Sequence, residues 1–314
     1  MQRILQPGEI EALDHTSFPR VRLPQPGSLF ADRAARLRQL AQGNAIADYL
    51  RFAAQLVQAQ QRAAATVHTV ALPADQLARA QAHSMPLMPA ANSIDPAWQA
   101  VLEGLLDTLE QSGSLPATLA PVIARLRART PAALDALAVQ VLGDTTTTAD
   151  LALQPFIMAA LQVTFADRAS RLGAADVPFV DPATICPVCA SQPVASVLRI
   201  GGQAAGHRYL HCGTCCTEWH MVRVKCSHCE STQGIHYQGV EGGSETVLAE
   251  TCDECHTYRK LVNQEKDPLA EPLADDLASL TLDLLMGDTA FARASANPLL
   301  ALGRELADDA THDA

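Results

Sequence analysis

Four Cys-x-x-Cys pairs, arranged as two equal copies, constrain this chain more than any other feature. Within each copy 22 residues separate the two pairs, and every cysteine of the first copy recurs 40 residues later. The spacing is therefore a tandem repeat with a period of 40 residues. The pairs are Cys186/Cys189 and Cys212/Cys215 in the first copy, and Cys226/Cys229 and Cys252/Cys255 in the second.

This spacing predicts two metal sites of four thiolates each. Two thiolates three positions apart on a tight turn can bind the same ion, and two such turns complete a tetrahedron. Four sulfurs suit zinc, or iron bound as in rubredoxin. Short, equal loops favour one site within each copy, whereas pairing Cys186/Cys189 with Cys226/Cys229 is the alternative. Because each copy is too small for a large core, the metal would supply much of its folding free energy.

Residues around the cysteines extend the repeat. Ala195 and Val197 correspond to Ile235 and Tyr237, an apolar alternation typical of short strands. Each copy is therefore predicted to form a metal knuckle, a strand, a glycine-containing turn, a strand, a second knuckle and a strand. Many knuckles carry glycine after the second cysteine, where a left-handed backbone helps aim amides at sulfur. The residues at those positions here are Ala190, Cys216, Glu230 and His256.

The ninth cysteine, Cys216, adjoins Cys215 and lies outside the repeat. It is either a spare small residue or a free, exchanging thiol. Six of the ten histidines lie in the same region. Since four sulfurs per site suffice, surface or hydrogen-bonding roles are expected for them. They are His207, His211, His220, His228, His236 and His256.

The 185 residues before the first cysteine contain no other cysteine and predict helices. Asn44, Asp95 and Thr130 are candidate caps, and proline follows the last two at the first helical position. Apolar residues then recur at helical spacing. A further helix is expected from Asp150 to Leu172, bent or restarted near Pro155. We expect five to seven helices in one bundle-like domain.

The patterns together predict a multidomain α+β chain. An all-α helical domain is expected at residues 1–180, a first rubredoxin-like (zinc-ribbon-like) small β metal module at 181–224, a second at 225–266, and a C-terminal helix and tail at 267–314. Residues 20–180 should be nearly all helical, and residues 184–265 mostly short strands and turns. Asp267-Pro268 introduces the last helix, near Leu269 to Met286, whose leucine stripe should pack back against the rest.

Charge and composition narrow the function. The formal net charge is −11 and the pI is near 5.3, which opposes a nucleic-acid coat or a membrane-surface binder. Residues 186–260 hold six Lys/Arg and seven Asp/Glu, so they lack a basic stripe. No apolar run reaches the roughly 20 residues that span a bilayer, so no membrane insertion is expected. Localised cysteines and the lack of a secretion or Tat signal predict a cytoplasmic protein.

No phosphate-binding loop, HExxH or serine-centred elbow is present, so no enzymatic activity is expected. An assembly factor that contains metal and has no turnover is the favoured class. The first alternative is a rubredoxin-like iron protein with electron or thiol chemistry. The second alternative is a nucleic-acid-binding ribbon protein, which the charge opposes.

One stretch is more specific than a generic metal ribbon. Leu210-His211-Cys212, followed by Thr217-Glu218-Trp219-His220-Met221-Val222-Arg223-Val224-Lys225-Cys226, resembles FdhE, the formate dehydrogenase accessory protein family. The similarity covers most of the chain and is weakest from about Val70 to Leu153. Further matching stretches are Arg33–Arg38, Asp48–Ala53, Glu250–Cys255, Thr257-Tyr258, Gln264–Pro268 and Ala274–Leu280.

The resemblance implies a cytoplasmic protein needed for the activity of respiratory formate dehydrogenases. It implies binding to the immature catalytic subunit before Tat export. It also implies two mononuclear iron sites bound through the eight Cys-x-x-Cys cysteines, with zinc as the alternative occupant. Cys216 does not belong to the family pattern, so no role is carried over to it. The oligomeric state stays open.

Overall fold

The computed structural model describes residues 18–113, 115–145 and 147–300. Within these ranges the N-terminal part forms seven α-helices, joined by turns that include short 3₁₀ segments. The helices are α1 (Pro26–Leu40), α2 (Ala47–Ala64), α3 (Ala74–Ala82), α4 (Trp98–Gln111), α5 (Ala120–Arg127), α6 (Pro131–Leu142) and α7 (Gln154–Ser170).

Local sequence signals explain where several helices begin. Thr130 caps α6 by accepting a hydrogen bond from the Ala133 amide at 3.3 Å, as the sequence predicts. Pro155 lies in the first turn of α7, and a 3₁₀ segment precedes it. The helix therefore restarts there, because proline is tolerated at a helix start and not in its interior. Helix α7 is buried along nearly its whole length and forms the centre of the helical core.

The expectation that residues 20–180 are nearly all helical is wrong at one point. Val21–Arg22 forms a short strand, β1, which pairs antiparallel with the later strand Glu218–His220. Val21 is buried, so the pairing brings the segment before α1 onto the sheet. A two-residue strand carries no detectable alternation, which is why the sequence does not predict it.

The cysteine-rich region forms strands at the predicted 40-residue offset. The strands are β2 (Pro193–Leu198), β3 (Arg208–Cys212), β4 (Glu218–His220), β5 (Ile235–Gln238), β6 (Val247–Cys252) and β7 (Thr257–Asn263), followed later by β8 (Ala292–Arg293). Strands β2, β3 and β4 correspond to β5, β6 and β7. The two copies thus have the same succession of strands and turns, as their spacing indicates.

The two copies share one sheet. Its strand order is β1-β4-β3-β2-β7-β6-β5, with β8 beside β7. Strands β2 and β7 join the copies in parallel, with Ser196 opposite Leu261 and Val197 opposite Val262. Every residue of β2 is buried, whereas β5, at the end of the sheet, is half-buried to exposed. The module division at residues 224–225 stays a prediction, and no gap in the sheet accompanies it.

The C-terminal segment forms two helices where one was expected. Helix α8 (Pro272–Ala278) begins after Glu271, whose carboxylate accepts hydrogen bonds from the Leu273 and Ala274 amides. Helix α9 (Leu280–Gly287) follows directly. The cap is therefore Glu271-Pro272 and not Asp267-Pro268.

The leucine stripe packs back only in part. Leu273 and Leu277 are fully buried in the main core, whereas Leu284 is 75% exposed. Helix α8 thus packs against the rest of the molecule, as expected, and α9 leaves one face open. Within the described ranges, no helix is long and apolar enough to cross a membrane.

Candidate metal centres

The first four cysteines of the repeat lie together in a fully buried cluster. The Sγ atoms of Cys186 and Cys215 are 3.5 Å apart, and those of Cys189 and Cys212 are 3.4 Å apart. All four side chains are buried. The structure therefore groups the sulfurs within one copy, and the interleaved arrangement is not found.

The second four cysteines form the equivalent cluster nearer the surface. Cys226 and Cys255 place their Sγ atoms 3.8 Å apart, and Cys229 and Cys252 place theirs 3.7 Å apart. Cys229 is exposed and Cys255 is half-buried. The two clusters thus share their geometry and differ in their access to solvent.

Both clusters have the donors and dimensions for a tetrahedral ion. Metal–sulfur bonds of about 2.3 Å give a tetrahedral edge of about 3.8 Å, close to the sulfur separations observed. These separations are far longer than a disulfide bond. Backbone amides also point at sulfur: the Thr214 amide donates to Cys212 Sγ at 3.3 Å, and the His228 amide donates to Cys226 Sγ at 3.3 Å. Each cluster could hold one zinc or iron ion.

Four non-glycine residues adopt the left-handed backbone that the knuckles require. Their φ angles lie between 51° and 63°. In the first knuckle this conformation lets the Ala190 amide donate to the Cys186 carbonyl at 2.9 Å, and in the third the Glu230 amide donates to the Cys226 carbonyl at 3.1 Å. The sequence prediction for this position is confirmed. The residues are Ala190, Cys216, Glu230 and His256.

Hydroxyl groups contact one sulfur of each cluster at equivalent positions. Thr217 Oγ1 lies 3.2 Å from Cys215 Sγ, and Thr257 Oγ1 lies 3.1 Å from Cys255 Sγ. Burial raises the pKa of Cys226 to about 12. A bound cation must therefore displace protons from thiols, so metal affinity falls as the pH falls.

The helical domain holds the first cluster in place. The Met88 amide donates to the Val188 carbonyl at 2.7 Å, and the Ala90 amide donates to the Cys189 carbonyl at 2.9 Å. From α7, the buried Gln162 side chain donates to the Gly213 carbonyl at 2.6 Å. Both knuckles of the first cluster are thus hydrogen-bonded to the helical core. This explains why that cluster is buried and the second is not.

Comparison with known proteins covers the fold and both clusters. Three family models match, described as FdhE, N-terminal, over residues 18–181; FdhE, central domain, over 185–223; and FdhE, C-terminal domain, over 224–300. This chain belongs to the FdhE family. The family resemblance carried by the motif around Cys212 and Cys226 is therefore confirmed.

Individual FdhE proteins match over almost the full length. The FdhE homolog of Cronobacter sakazakii is 39% identical over 306 residues, which is 95% of this chain and 97% of that protein. FdhE of Salmonella paratyphi B is 39% identical over 298 residues, covering 93% and 94% of the two chains. The crystal structure of the FdhE protein from Pseudomonas aeruginosa superposes with a TM-score of 0.81 at 34% identity, covering 91% of this chain and 100% of that one.

This FdhE-family chain also contains a cavity that the sequence does not predict. It has a volume of about 700 Å³ and lies between α1, the first module and the segment before α8. Cys216, His211 and Glu218 line it. His211 Nδ1 lies 3.0 Å from Glu218 Oε1, so this histidine has the hydrogen-bonding role expected for the histidines of the region.

Cys216 lies next to two cationic groups beside this cavity. Arg33 Nη2 is 3.7 Å from its Sγ atom. Burial raises the pKa of the Cys216 thiol, but Arg33 and His211 outweigh burial and hold that pKa below its usual range. Burial also lowers the pKa of His211, yet Cys216 and Glu218 raise it to about 9. Because Arg33 and Cys216 are 183 positions apart, no local pattern could have revealed their contact.

Proposed function

We propose that this chain is a cytoplasmic accessory protein that binds the immature catalytic subunit of a formate dehydrogenase and supports its maturation before Tat export. The observation that carries the proposal is the match of all three FdhE domains in order along the chain. The proposal assigns no catalytic turnover to the protein. The absence of nucleic acid and of membrane insertion belongs to the same proposal, as does occupancy of both clusters by iron.

In this proposal the eight cluster cysteines are the metal ligands, and the metals shape a binding surface. When bound, each ion would link two knuckles into one rigid unit and supply folding free energy. The knuckles of the second cluster flank the exposed strand β5 and the connection at residues 221–225. Loss of a ligand there should therefore disorder the surface that meets the partner.

Exposed apolar side chains support this surface as the place of contact. Val222 is 50% exposed, Val224 is 67% exposed and Tyr237 is 46% exposed. The Tyr237 hydroxyl donates to the Arg223 carbonyl at 3.3 Å, which joins β5 to the connection between the modules. An apolar surface at the end of a sheet can accept a partner by apolar contact and by strand pairing.

A pair of matched variants tests this surface. Val224→Glu should weaken capture of the formate dehydrogenase catalytic subunit by at least about tenfold, since the partner would have to desolvate a new charge. Val139→Glu changes a 50%-exposed valine on α6 and should leave capture unchanged. Equal capture by both variants would contradict the assignment of the surface. Capture of no formate dehydrogenase subunit by the parent protein would contradict the proposed function itself.

The alternative function is iron redox chemistry on the same partner. One observation favours it: the second cluster exposes Cys229, which gives an electron or a thiol a route to that site. The two functions separate in a metal exchange. Protein loaded with zinc in place of iron should bind the partner and restore formate dehydrogenase activity in cells that lack this factor. Normal binding without restored activity would favour the redox function.

A further inference from the structure

The cavity beside the first module contains the one described cysteine that belongs to neither four-sulfur cluster. Cys216 lines the cavity although only 3% of it is exposed. The other eight cysteines face one another within their clusters. A reagent that enters the cavity therefore meets a single sulfur.

A buried histidine faces the same cavity with one ring nitrogen unused. His211 is 2% exposed and lines the cavity. Its Nδ1 atom lies 3.0 Å from Glu218 Oε1, whereas Nε2 is buried without a hydrogen-bonding partner among the described residues. Glu218 is itself fixed by Arg199, whose Nε atom donates to the carboxylate at 3.0 Å. The carboxylate orients the ring with its Nδ1 proton toward Glu218 and leaves Nε2 available as a base.

A buried arginine completes the arrangement around the sulfur. Arg33 is fully buried, donates from Nε to Glu271 Oε1 at 3.0 Å, and places Nη2 3.7 Å from Cys216 Sγ. A fixed guanidinium stabilises negative charge on sulfur without reorganisation. Nucleophile, base and orienting carboxylate are thus Cys216, His211 and Glu218, which is the order of roles found in activated thiol sites.

The cavity lining indicates the class of molecule that would reach this sulfur. Arg22 and Arg36 line it together with Asp32 and Glu271, so cationic and anionic groups alternate around the walls. Such a lining complements a molecule that carries both carboxylates and ammonium groups. The volume of about 700 Å³ lies within the range of small-molecule sites.

We propose that Cys216 is a nucleophilic thiol that forms a mixed disulfide with a small zwitterionic disulfide bound in this cavity. The Cys216 sulfur attacks one sulfur of the ligand, so that one sulfur–sulfur bond forms and the ligand's own sulfur–sulfur bond breaks. The proton of Cys216 passes through His211 Nε2 to the departing thiolate, which leaves as a thiol. The ligand is the oxidant, so no further reactant is needed. This inference does not depend on the function proposed for the whole chain.

The test uses the full chain, loaded with metal, and glutathione disulfide as the probe. Intact mass and peptide mapping should find one glutathione per chain on Cys216, with one equivalent of glutathione released. Cys216→Ser should form no adduct. A first adduct on Cys229 or Cys255, the cluster cysteines with solvent access, would overturn the proposal, as would an unmodified protein.

Two further variants separate an activated thiol from a merely accessible one. His211→Gln should slow adduct formation by about 10²-fold, the lower end of the contribution of a positioned base. Because His211 adjoins Cys212, metal content must match the parent before rates are compared. Ala35→Trp changes an exposed residue of α1 that lines the cavity, outside the thiol, the histidine and both clusters.

The tryptophan variant should slow the bulky glutathione disulfide at least about tenfold. It should leave the reaction with a methylthio-transferring reagent, small enough to pass the side chain, within about twofold of the parent. Unchanged rates with glutathione disulfide in both variants would overturn the proposal.

Discussion

Arg208 and Glu250 form an ion pair at 2.6 Å that joins the two copies of the repeat inside the protein. Arg208 is 1% exposed and Glu250 is 4% exposed. The same guanidinium donates to Ser196 Oγ at 3.0 Å and to the Lys225 carbonyl at 2.8 Å. One side chain thereby connects β3, β2, the connection between the copies and β6. The two metal modules are fastened by this contact as well as by the pairing of β2 with β7.

Glu250→Gln should therefore destabilise the protein strongly. Removing the charge leaves the Arg208 guanidinium buried without its counter-ion, which costs about 3–5 kcal/mol. Glu265→Gln is the matched control, because Glu265 pairs with Arg223 at 3.4 Å in an exposed position. That change should cost at most about 1 kcal/mol. Denaturant unfolding of the metal-loaded variants measures both, and equal costs would contradict the coupling role of Arg208.

The cysteine spacing was sufficient to predict the two sulfur clusters, because each cluster depends on local turns and on two equal loops. It could not predict how the copies associate. Ser196 opposes Leu261 across a parallel pair, and such register depends on the packing of distant strands. The cavity escaped prediction for the same reason, since Arg33 and Cys216 meet only in the folded chain. Leu269–Met286 was predicted as one helix because its leucine spacing continues across the break at Ser279.

Asp276→Asn should destabilise the junction between α8 and the sheet by about 3–5 kcal/mol. Asp276 is fully buried; Arg293 Nη2 lies 2.6 Å from its Oδ2 atom, and Asn297 Nδ2 donates to it at 2.8 Å. The variant would leave the buried cation without its partner. Asp288→Asn, at an exposed position after α9, should change the free energy of unfolding by less than about 0.5 kcal/mol.

The pH dependence of that difference has a defined sign. Burial raises the pKa of Asp276, but Arg293 and Lys260 outweigh burial and hold it below its usual range. The charged carboxylate therefore contributes its full stability above the unfolded-state pKa of about 3.9. The contribution is lost as the pH falls through the lower folded-state value. The gap between parent and Asp276→Asn should be constant above about pH 5 and narrow on acidification. A gap that widened on acidification would contradict the assignment.

Ala190→Gly should stabilise the first knuckle slightly. Ala190 has φ 63°, and the left-handed conformation costs a non-glycine residue about 1–2 kcal/mol. Glycine removes that cost but adds about 0.5–1 kcal/mol of unfolded-state entropy, so a net gain of about 0.5 kcal/mol is expected. Ala195→Gly lies in the buried strand β2 and should instead lose stability. Thermal unfolding of the two variants should therefore shift in opposite directions.

Metal should leave the second cluster before the first. The four cysteines of the first cluster are all buried, and the helical core is hydrogen-bonded to both of its knuckles through Met88, Ala90 and Gln162. In the second cluster Cys229 is exposed, so a chelator can attack a metal–sulfur bond there directly. A coloured chelator added to zinc-loaded protein should report a fast phase and a slow phase of equal amplitude.

Single ligand replacements assign those phases. Cys226→Ser leaves an incomplete tetrahedron in the second cluster, so the fast phase should disappear and hydrogen exchange should accelerate first in β5 and β6. The helical domain, centred on α7, has its own apolar core and should keep the protection of the parent. Cys186→Ser should remove the slow phase, and Cys216→Ser, which lowers the thiol count equally, should keep both. Loss of protection in α7 on Cys226→Ser would show that the second metal stabilises the whole chain and not its own module.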